Sequence, residues 1–421
     1  MIHRIQVYSY KCLRYVDQSL GPFQILVGPN ASGKSTFLDV FVFLPDLLKN
    51  GLERAVRKRA RTLKELTWQM QSDNFEIAIE FGLPESLRKA IGYSLLRYEI
   101  QVGLENQSSL ALLAENLWFC KEGSKKHHQD WQSKEFPREC LPPQQGIVIK
   151  PRKRTPSGYR KIMGRAAKGR LYIRSEKTNW NFPLHSSSDQ AGLGLIPEEH
   201  RFPASSWLRK LILEKLNFLM LDSRVMRAPC PPDAPISFQA DGSNFPIVVK
   251  RFREKNPKEF ANWVAHVQTV LPEIKDIEVN ERQEDRHLYL VACMKEKTRI
   301  PSWLLSDGTL RFLALTLLAY VENANESEES GIYIIEEPEN GIHPKAIEAV
   351  YQSLSSIYKG QVFCATHSPI LLNLAEPAEL LCFARTQSGS TDIVRGDKHP
   401  ALASWREEVT LGDLLASGVL G

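Results

Sequence analysis

Four short stretches carry residues whose types and spacing suit work on a nucleoside triphosphate. The first is LVGPNASGKSTFLDVF, residues 26–41, which holds G-x-x-x-x-G-K-S from Gly28 to Ser35. Gly28 and Gly33 let the backbone turn tightly and aim N–H groups at phosphate oxygens. Lys34 supplies a mobile cation for the β- and γ-phosphates, and Ser35 offers a hydroxyl to Mg2+. The second, LLSDGTLRFLALTLLAY, puts Ser306 where it caps the amphipathic helix that follows. A helix start presenting a hydroxyl and free N–H groups is a second anion site. The third, GIYIIEEPENGIHP, ends an apolar run on Glu336 and Glu337. Two adjacent carboxylates there divide the labour: one holds Mg2+, and the other orients and polarises an attacking water. The fourth, QVFCATHSP, sets His367 at the end of another apolar run, suited to touch a γ-phosphate or the attacking water.

Each stretch has a plainer reading when taken alone. An S-x-G before a helix is common, a lone histidine is more often structural, and an acidic pair can be a solvated turn. The elements around them argue otherwise. FQILVG (residues 23–28) reads as a buried strand entering the first loop, and STFLDVFVFLPDLL as a helix leaving it. Residues 332–335 form a buried strand whose C-terminal end carries the carboxylates, the edge where parallel sheets bind ligands. Pro338 then ends the ladder. The chain turns past the strand end, so both carboxylates can face one site.

At 421 residues the chain is long enough for two domains or one large elaborated one, with the apolar and charged fractions of a soluble globular protein. Its start, MIHRIQVYSY, alternates like a strand and has no signal-peptide pattern. The longest apolar helical run, LRFLALTLLAYV, is too short for a bilayer, so no membrane is expected. Seven scattered cysteines without a C-x-x-C pair argue against a zinc site or a disulfide framework and suit the cytoplasm. Charge is uneven. Between Lys121 and Lys177 sixteen Lys/Arg face five Asp/Glu, a surplus of 11 in a chain of net charge +5, so the rest carries −6. With Tyr159 and Tyr172 interleaved, this 121–177 block suits DNA, RNA or another polyanion, or else a solvated surface loop.

The order of phosphate loop, S-x-G helix, strand with Glu-Glu and strand with His resembles that of ABC-type ATPase heads. More closely, it resembles the SMC/RecF-like group, and within it the stand-alone AAA-family ATPases that share a head with OLD-family proteins. The opening MIHRIQVYSYKCLRYVDQSLGPFQILVGPNASGKST and the ending SDGTLRFLAL…IIEEPENGIHP…ATHSP carry the likeness, over about residues 1–83 and 205–395. It implies an α/β fold: a P-loop NTPase ABC-ATPase head with a mixed central sheet. It implies ATP and Mg2+ held by Gly28, Pro29, Asn30, Ala31, Ser32, Gly33, Lys34, Ser35 and Thr36, with Lys11 touching the nucleotide. Ser306, Asp307 and Gly308 become the signature motif, Ser35 and Glu336 the metal side, Glu337 the catalytic carboxylate and His367 the switch histidine. In this group the signature of one subunit completes the site of the other, which implies a homodimer or higher even-numbered oligomer around sandwiched ATP.

The sequence departs from the pattern in places. Glu336 stands where transporters have Asp, Asp307 and Thr309 where many relatives have Gly and Gln, and ENGIH (residues 339–343) replaces the usual dimer-crossing loop. Gln69 and Gln71 are candidates for the Gln-loop. The expected organisation is a lobe at 1–94 with the phosphate loop, a basic β-rich lid-like insertion at 95–200, a second lobe at 201–395 with signature, Walker B and switch histidine, and a tail helix at 396–421. No heptad pattern fills the roughly 270 residues between loop and signature, so no long coiled coil is expected. About fifty residues follow His367, too few for the TOPRIM domain of OLD nucleases. Glu407, Glu408 and Asp413 read as the solvated face of a terminal helix. A nuclease or toxin effector, if one acts, is then expected as a separate chain encoded nearby.

Three functions fit to different degrees. The first is a switch ATPase that dimerises around ATP and controls an effector or a nucleic-acid transaction, in anti-phage defence or DNA maintenance. A membrane-transport ATPase fits poorly, because its signature follows the loop by about a hundred residues. A nucleotide-locked scaffold or sensor with negligible turnover is the alternative to the first.

Overall fold

The computed structural model describes residues 1–106, 109–121, 123, 135–150, 155–165, 170–178, 180–184, 186–196, 200–325, 331–403 and 409–420. Much of the basic block (124–134, 151–154 and 166–169) lies outside the described residues, as do Glu407 and Glu408.

The first sheet is antiparallel throughout and built from β1 (Ile2–Tyr10), β2 (Leu13–Ser19), β4 (Asn74–Gly82), β5 (Leu95–Glu105), β6 (Ser109–Cys120), β7 (Tyr159–Arg165), β8 (Leu171–Arg174) and β9 (Asn181–Leu184), in the order β2-β1-β4-β5-β6-β7-β8-β9. The second sheet is mixed, ordered β10-β14-β15-β3-β16-β17. It contains β3 (Phe23–Val27), β10 (Leu216–Leu219), β14 (Ile332–Glu336), β15 (Gln361–Ala365), β16 (Leu380–Arg385) and β17 (Thr391–Arg395), all parallel except β17. A third, small sheet is formed by β11 (Ile274–Glu281), β12 (Leu288–Met294) and β13 (Arg299–Pro301). The helices are α1 (Lys34–Asn50), α2 (Leu52–Arg57), α3 (Glu85–Ile91), α4 (Pro203–Lys210), α5 (Ser223–Arg227), α6 (Phe245–Lys255), α7 (Pro257–Val270), α8 (Asp307–Asn323), α9 (Pro344–Ser355), α10 (Pro369–Leu374), α11 (Pro400–Ala403) and α12 (Leu411–Ala416).

Period-two alternation decides the layers. Along the central strands Leu26, Phe363 and Ile334 face α1, while Ile25, Cys364 and Ile335 face the other way. The first set packs with Phe37 and Phe41 of α1 and with Ile5, Val7, Ile77 and Ile79 of the first sheet, so α1 is sandwiched between two sheets. The second set packs on α6, α7, α8 and α9. α8, expected to be amphipathic, is buried almost all round from Leu310 to Ala319, because it is covered by α7, α9 and the sheet. No helix among the described residues is long and apolar enough to cross a membrane.

Strands β5 to β9 continue the sheet begun by β1, β2 and β4. That sheet's outer face is polar yet buried. Arg97 is 1 % exposed and reaches Glu80 at 2.9 Å and Glu99 at 2.6 Å. The segment 135–150 lies over this layer: Glu76 accepts from the N–H groups of Ile147 and Val148, and Glu99 from that of Ile149. Tail residue Asp413 is not merely solvated; it forms a capping box with Thr410 at the start of α12.

Removing one partner from a buried ion pair strands the other charge and costs about 3–5 kcal/mol. Arg97→Met should therefore lower unfolding stability by about that amount, read as a fall in the urea midpoint. A loss below about 1 kcal/mol would mean that this layer is wetter than its burial indicates.

Candidate functional site

Three parallel strands in register bring the expected residues to one edge. Glu336 pairs with Ala365, and Ala365 with Leu26, so the carboxylates, the Thr366–His367 turn and the phosphate loop leave neighbouring strands at the same end. The loop needs its two glycines. Gly28 and Gly33 sit at φ 145° and 107°, and a side chain would collide with the carbonyl oxygen of Phe383 at Gly28 and with Thr391 at Gly33. Gly33 also gives α1 no side-chain cap, which leaves its first N–H groups for an anion.

Lys34 is folded into the loop, donating from Nζ to the carbonyls of Gly28 (2.7 Å) and Pro29 (3.0 Å). Burial lowers its pKa to about 8, while Glu336 and Glu337 act to raise it. Burial raises the Glu336 pKa; the Glu337 charge adds to this, and the nearby Ser35 hydroxyl and Lys34 oppose it. Glu337 follows in the left-handed region, φ 49°, with its N–H on the Ala365 carbonyl at 2.8 Å. A non-glycine residue held there is strained; the turn is what takes the chain out of the strand immediately after Glu336.

The loop after Glu337 ties the site together. Asn340 N–H donates to the Glu337 carbonyl at 2.9 Å. Glu339 accepts from Thr366 Oγ1 (2.6 Å) and from the His367 N–H (3.2 Å). Arg311 of α8 donates to the Asn340 carbonyl at 2.9 Å, and Gly308 lies so close to Gly341 that a Cβ would strike its carbonyl oxygen. At the start of α8, Ser306 Oγ accepts from Thr309 N–H at 3.1 Å, the expected cap. Asp307 pairs with Arg227 at 2.6 Å. No hydrogen bond or ion pair among the described residues joins Ser306, Asp307 or Gly308 to the phosphate loop of the same chain. His367 is exposed at the end of β15, and His343, where a dimer-crossing loop usually ends in Asp, caps α9 by accepting from Lys345 N–H.

Lys11 and Gln69 both have partners within the chain. Lys11 lies next to Cys12, which abuts Gly33 of the phosphate loop. Its ammonium pairs with Asp39 of α1 at 2.7 Å, beside the Tyr10 hydroxyl and Arg59 on the same carboxylate, and a close carboxylate holds an ammonium better than solvent does. Gln69 is exposed and donates to the Ser388 carbonyl at 3.2 Å, which takes it to the β16–β17 turn rather than to the loop. The sequence reading missed Glu339, which sits inside a stretch it considered only as a replaced crossing loop. It also missed Thr391, which donates to the Ser32 carbonyl at 2.8 Å and lies too far along the chain to leave a local signal. The neighbouring Asp392 holds Arg138 of the 135–150 segment at 3.0 Å, so the strand that backs the phosphate loop also anchors the cover of the first sheet.

The donor set fits Mg2+ of the kind bound with a nucleotide. Among the described residues no three His, Cys, Asp or Glu side chains gather as a protein-only metal cage. Ser35 and Glu336 instead offer two oxygens beside the loop, and Mg2+ takes one or two protein ligands plus phosphate and water. Two buried oxygens flanking the site, Ser32 Oγ and Glu339 Oε2, have no hydrogen-bond partner among the described residues.

A family model described as "AAA domain, putative AbiEii toxin, Type IV TA system" matches residues 253–373, the span that holds Ser306, Glu336, Glu337 and His367. Over 38 residues the chain is 47% identical to the OLD nuclease of Thermus scotoductus, a stretch that is 9% of this chain and only 7% of that relative. Among solved structures, an SMC head bound to the C-winged helix domain of ScpA aligns with a TM-score of 0.51 at 13% identity, over 93% of this chain and 96% of that one. That likeness is one of fold.

The depressed Lys34 pKa gives a testable pH dependence. Polyphosphate beside the ammonium favours its charged form, so binding above about pH 8 must take up a proton. Affinity for ATP is therefore level below that pH and falls as pH rises through it, approaching about tenfold per unit. Calorimetric titration between about pH 6.5 and 9.5 reads this directly. Lys34→Met should bind weakly at every pH and show a flatter profile. A level wild-type profile across that range would contradict the assignment.

Proposed function

We propose, from the premise that this chain is an SMC/RecF-like ABC-type ATPase, that it binds and hydrolyses ATP, associates in pairs around it, and thereby switches a separate effector or a nucleic-acid transaction. The observation that carries this is the strand register that brings Glu336 to the same sheet edge as the phosphate loop, with Glu337 turned out of that strand by its left-handed backbone.

In the proposed reaction Glu337 orients a water in line with the β–γ bond and accepts its proton. The water oxygen bonds to the γ-phosphorus as the bond to the bridging oxygen breaks, leaving ADP and inorganic phosphate. Lys34 would neutralise charge on the β- and γ-oxygens, and His367, exposed just past β15, would contact the γ-phosphate or the attacking water. Ser35 and Glu336 would hold Mg2+ together with the phosphates, and the ion would supply further neutralisation of that charge.

Pairing follows from where Ser306 sits. Exposed at the start of α8 and unconnected to its own phosphate loop, it is placed to meet the nucleotide of a second copy. Because α8 is tied to the loop after Glu337 through Arg311 and Gly308, a change at Glu337 in one copy moves the signature that copy offers to its partner. ATP then favours the closed pair by contacts made only there. A toxin-system family description, a nuclease relative and an SMC head solved with another protein's domain support a role in which the head passes its state to a partner, in the cytoplasm, in anti-phage defence or DNA maintenance.

Counting phosphate release tests the reaction. Glu337→Gln should retain ATP binding and lose turnover by about a hundredfold or more. Full turnover in that variant would remove Glu337 from the assigned role. No release above background in the wild type would favour the nucleotide-locked scaffold instead.

A further inference from the structure

A groove at the far end of α8 has no part in the ATPase reading. It lies where α7, α8 and α9 converge and holds about 510 Å3. On α7, Glu259 and His266 are two turns apart and share a face. α8 contributes Tyr320 and Asn323 from its C-terminal end. The Tyr320 hydroxyl and His266 Nδ1 are 3.2 Å apart, which ties these two walls together. Asn323 fastens the third wall: its amide donates to the Ser356 carbonyl at 2.8 Å and accepts from the Tyr358 N–H at 3.2 Å. Ser353, on the last turn of α9, also lines the groove. Its buried Oγ has no hydrogen-bond partner among the described residues, which is uncommon for a hydroxyl in a packed wall.

Among the described residues the groove is lined by a single carboxylate, Glu259, and by no lysine or arginine. Burial lowers the His266 pKa, so that ring adds no charge at neutral pH. Lys359, one residue beyond Tyr358, is turned to the Asn325 carbonyl at 2.7 Å. The field of Glu259 reaches the phenol: burial raises the Tyr320 pKa, and the Glu259 charge adds to this. A carboxylate in a first helical turn complements the helix dipole by itself. That accounts neither for the tyrosines that share the groove nor for the unpaired hydroxyl. Carboxylate, aromatic rings and uncharged oxygens together suit an ammonium ion, through charge-assisted hydrogen bonds and cation–π contact. An anion would meet Glu259 with no cation to offset it. We infer that this groove binds a primary ammonium ion carrying a short aromatic or apolar tail. The ammonium pairs with Glu259, and the tail rests on the Tyr320 ring and on Ala319 and Ala324. α8 and α9 run from this groove to Ser306 and to the loop after Glu337, so an occupant bears on the helices that frame the phosphate site. Binding needs no nucleotide and stands or falls independently of the ATPase reading.

The test is calorimetric titration of the full chain, without nucleotide, with tyramine as the probe. Two compounds of the same shape serve for comparison: tyrosol, which has a hydroxyl in place of the amine, and para-hydroxyphenylacetate, an anion. The expected result is saturable binding of tyramine, about tenfold weaker binding of tyrosol, and none of the anion. Glu259→Gln should weaken tyramine about tenfold and leave tyrosol unchanged. Tyr320→Leu removes the ring and should weaken both. Both side chains are outside the phosphate site, so unchanged ATP binding serves as the folding control. Three results would overturn the inference: no saturable binding of tyramine at millimolar concentration, equal affinity for all three compounds, or a Glu259→Gln variant that binds tyramine as tightly as the wild type.

Discussion

The parallel register of β3, β15 and β14 is the constraint on which the site rests. Adjacent strands lie about 5 Å apart, and Leu26, Ala365 and Glu336 are aligned across them. Residues that are more than three hundred positions apart in the chain thus emerge side by side. A slip of one residue would turn the inward and outward sets of all three strands over, removing Leu26, Phe363 and Ile334 from α1. The hydrophobic sandwich around α1 therefore fixes the register, and the register fixes the chemistry.

What the register assembles, the loop from Glu337 to Ile342 connects. Its left-handed first residue, the Glu339 contacts to the Thr366–His367 turn and the Arg311 and Gly308 contacts to α8 make one short segment the meeting point of catalytic carboxylate, histidine turn and signature helix. A segment held by several directional contacts shifts between discrete arrangements rather than deforming gradually. In the proposed switch, it is where hydrolysis at one site would be felt by the neighbouring copy. On the other side, Thr391 and Asp392 of β17 link the phosphate loop to the 135–150 cover of the first sheet, so the two sheets are coupled through polar contacts as well as through α1.

The parts legible in the sequence are those with local causes. The β3 strand, the glycines of the phosphate loop, the Ser306 cap and the carboxylates ending β14 are each specified by residues within a few positions. The Lys11–Asp39 pair was not legible, because Asp39 lies 28 positions away and the pairing depends on packing of the β1–β2 turn on α1. The β-rich character of residues 95–200 was legible, and its strands are β5 to β9. Their union into one eight-stranded sheet was not, because strand pairing is decided by distant partners and here also by a buried ionic layer on the outer face, where alternation alone suggests solvent. The near-complete burial of α8 escaped for the same reason: the helices that cover it are far away in the chain.

The central claim is that ATP brings two copies together across the phosphate loop and Ser306. Light scattering on Glu337→Gln, with and without Mg2+ and ATP, tests it most directly, since that variant keeps the nucleotide and holds the closed state. The account predicts a mass that doubles only when ATP is present, and that no longer doubles when Ser306→Arg is added. A mass unchanged by ATP, whether of a single chain or of a permanent assembly, would contradict it.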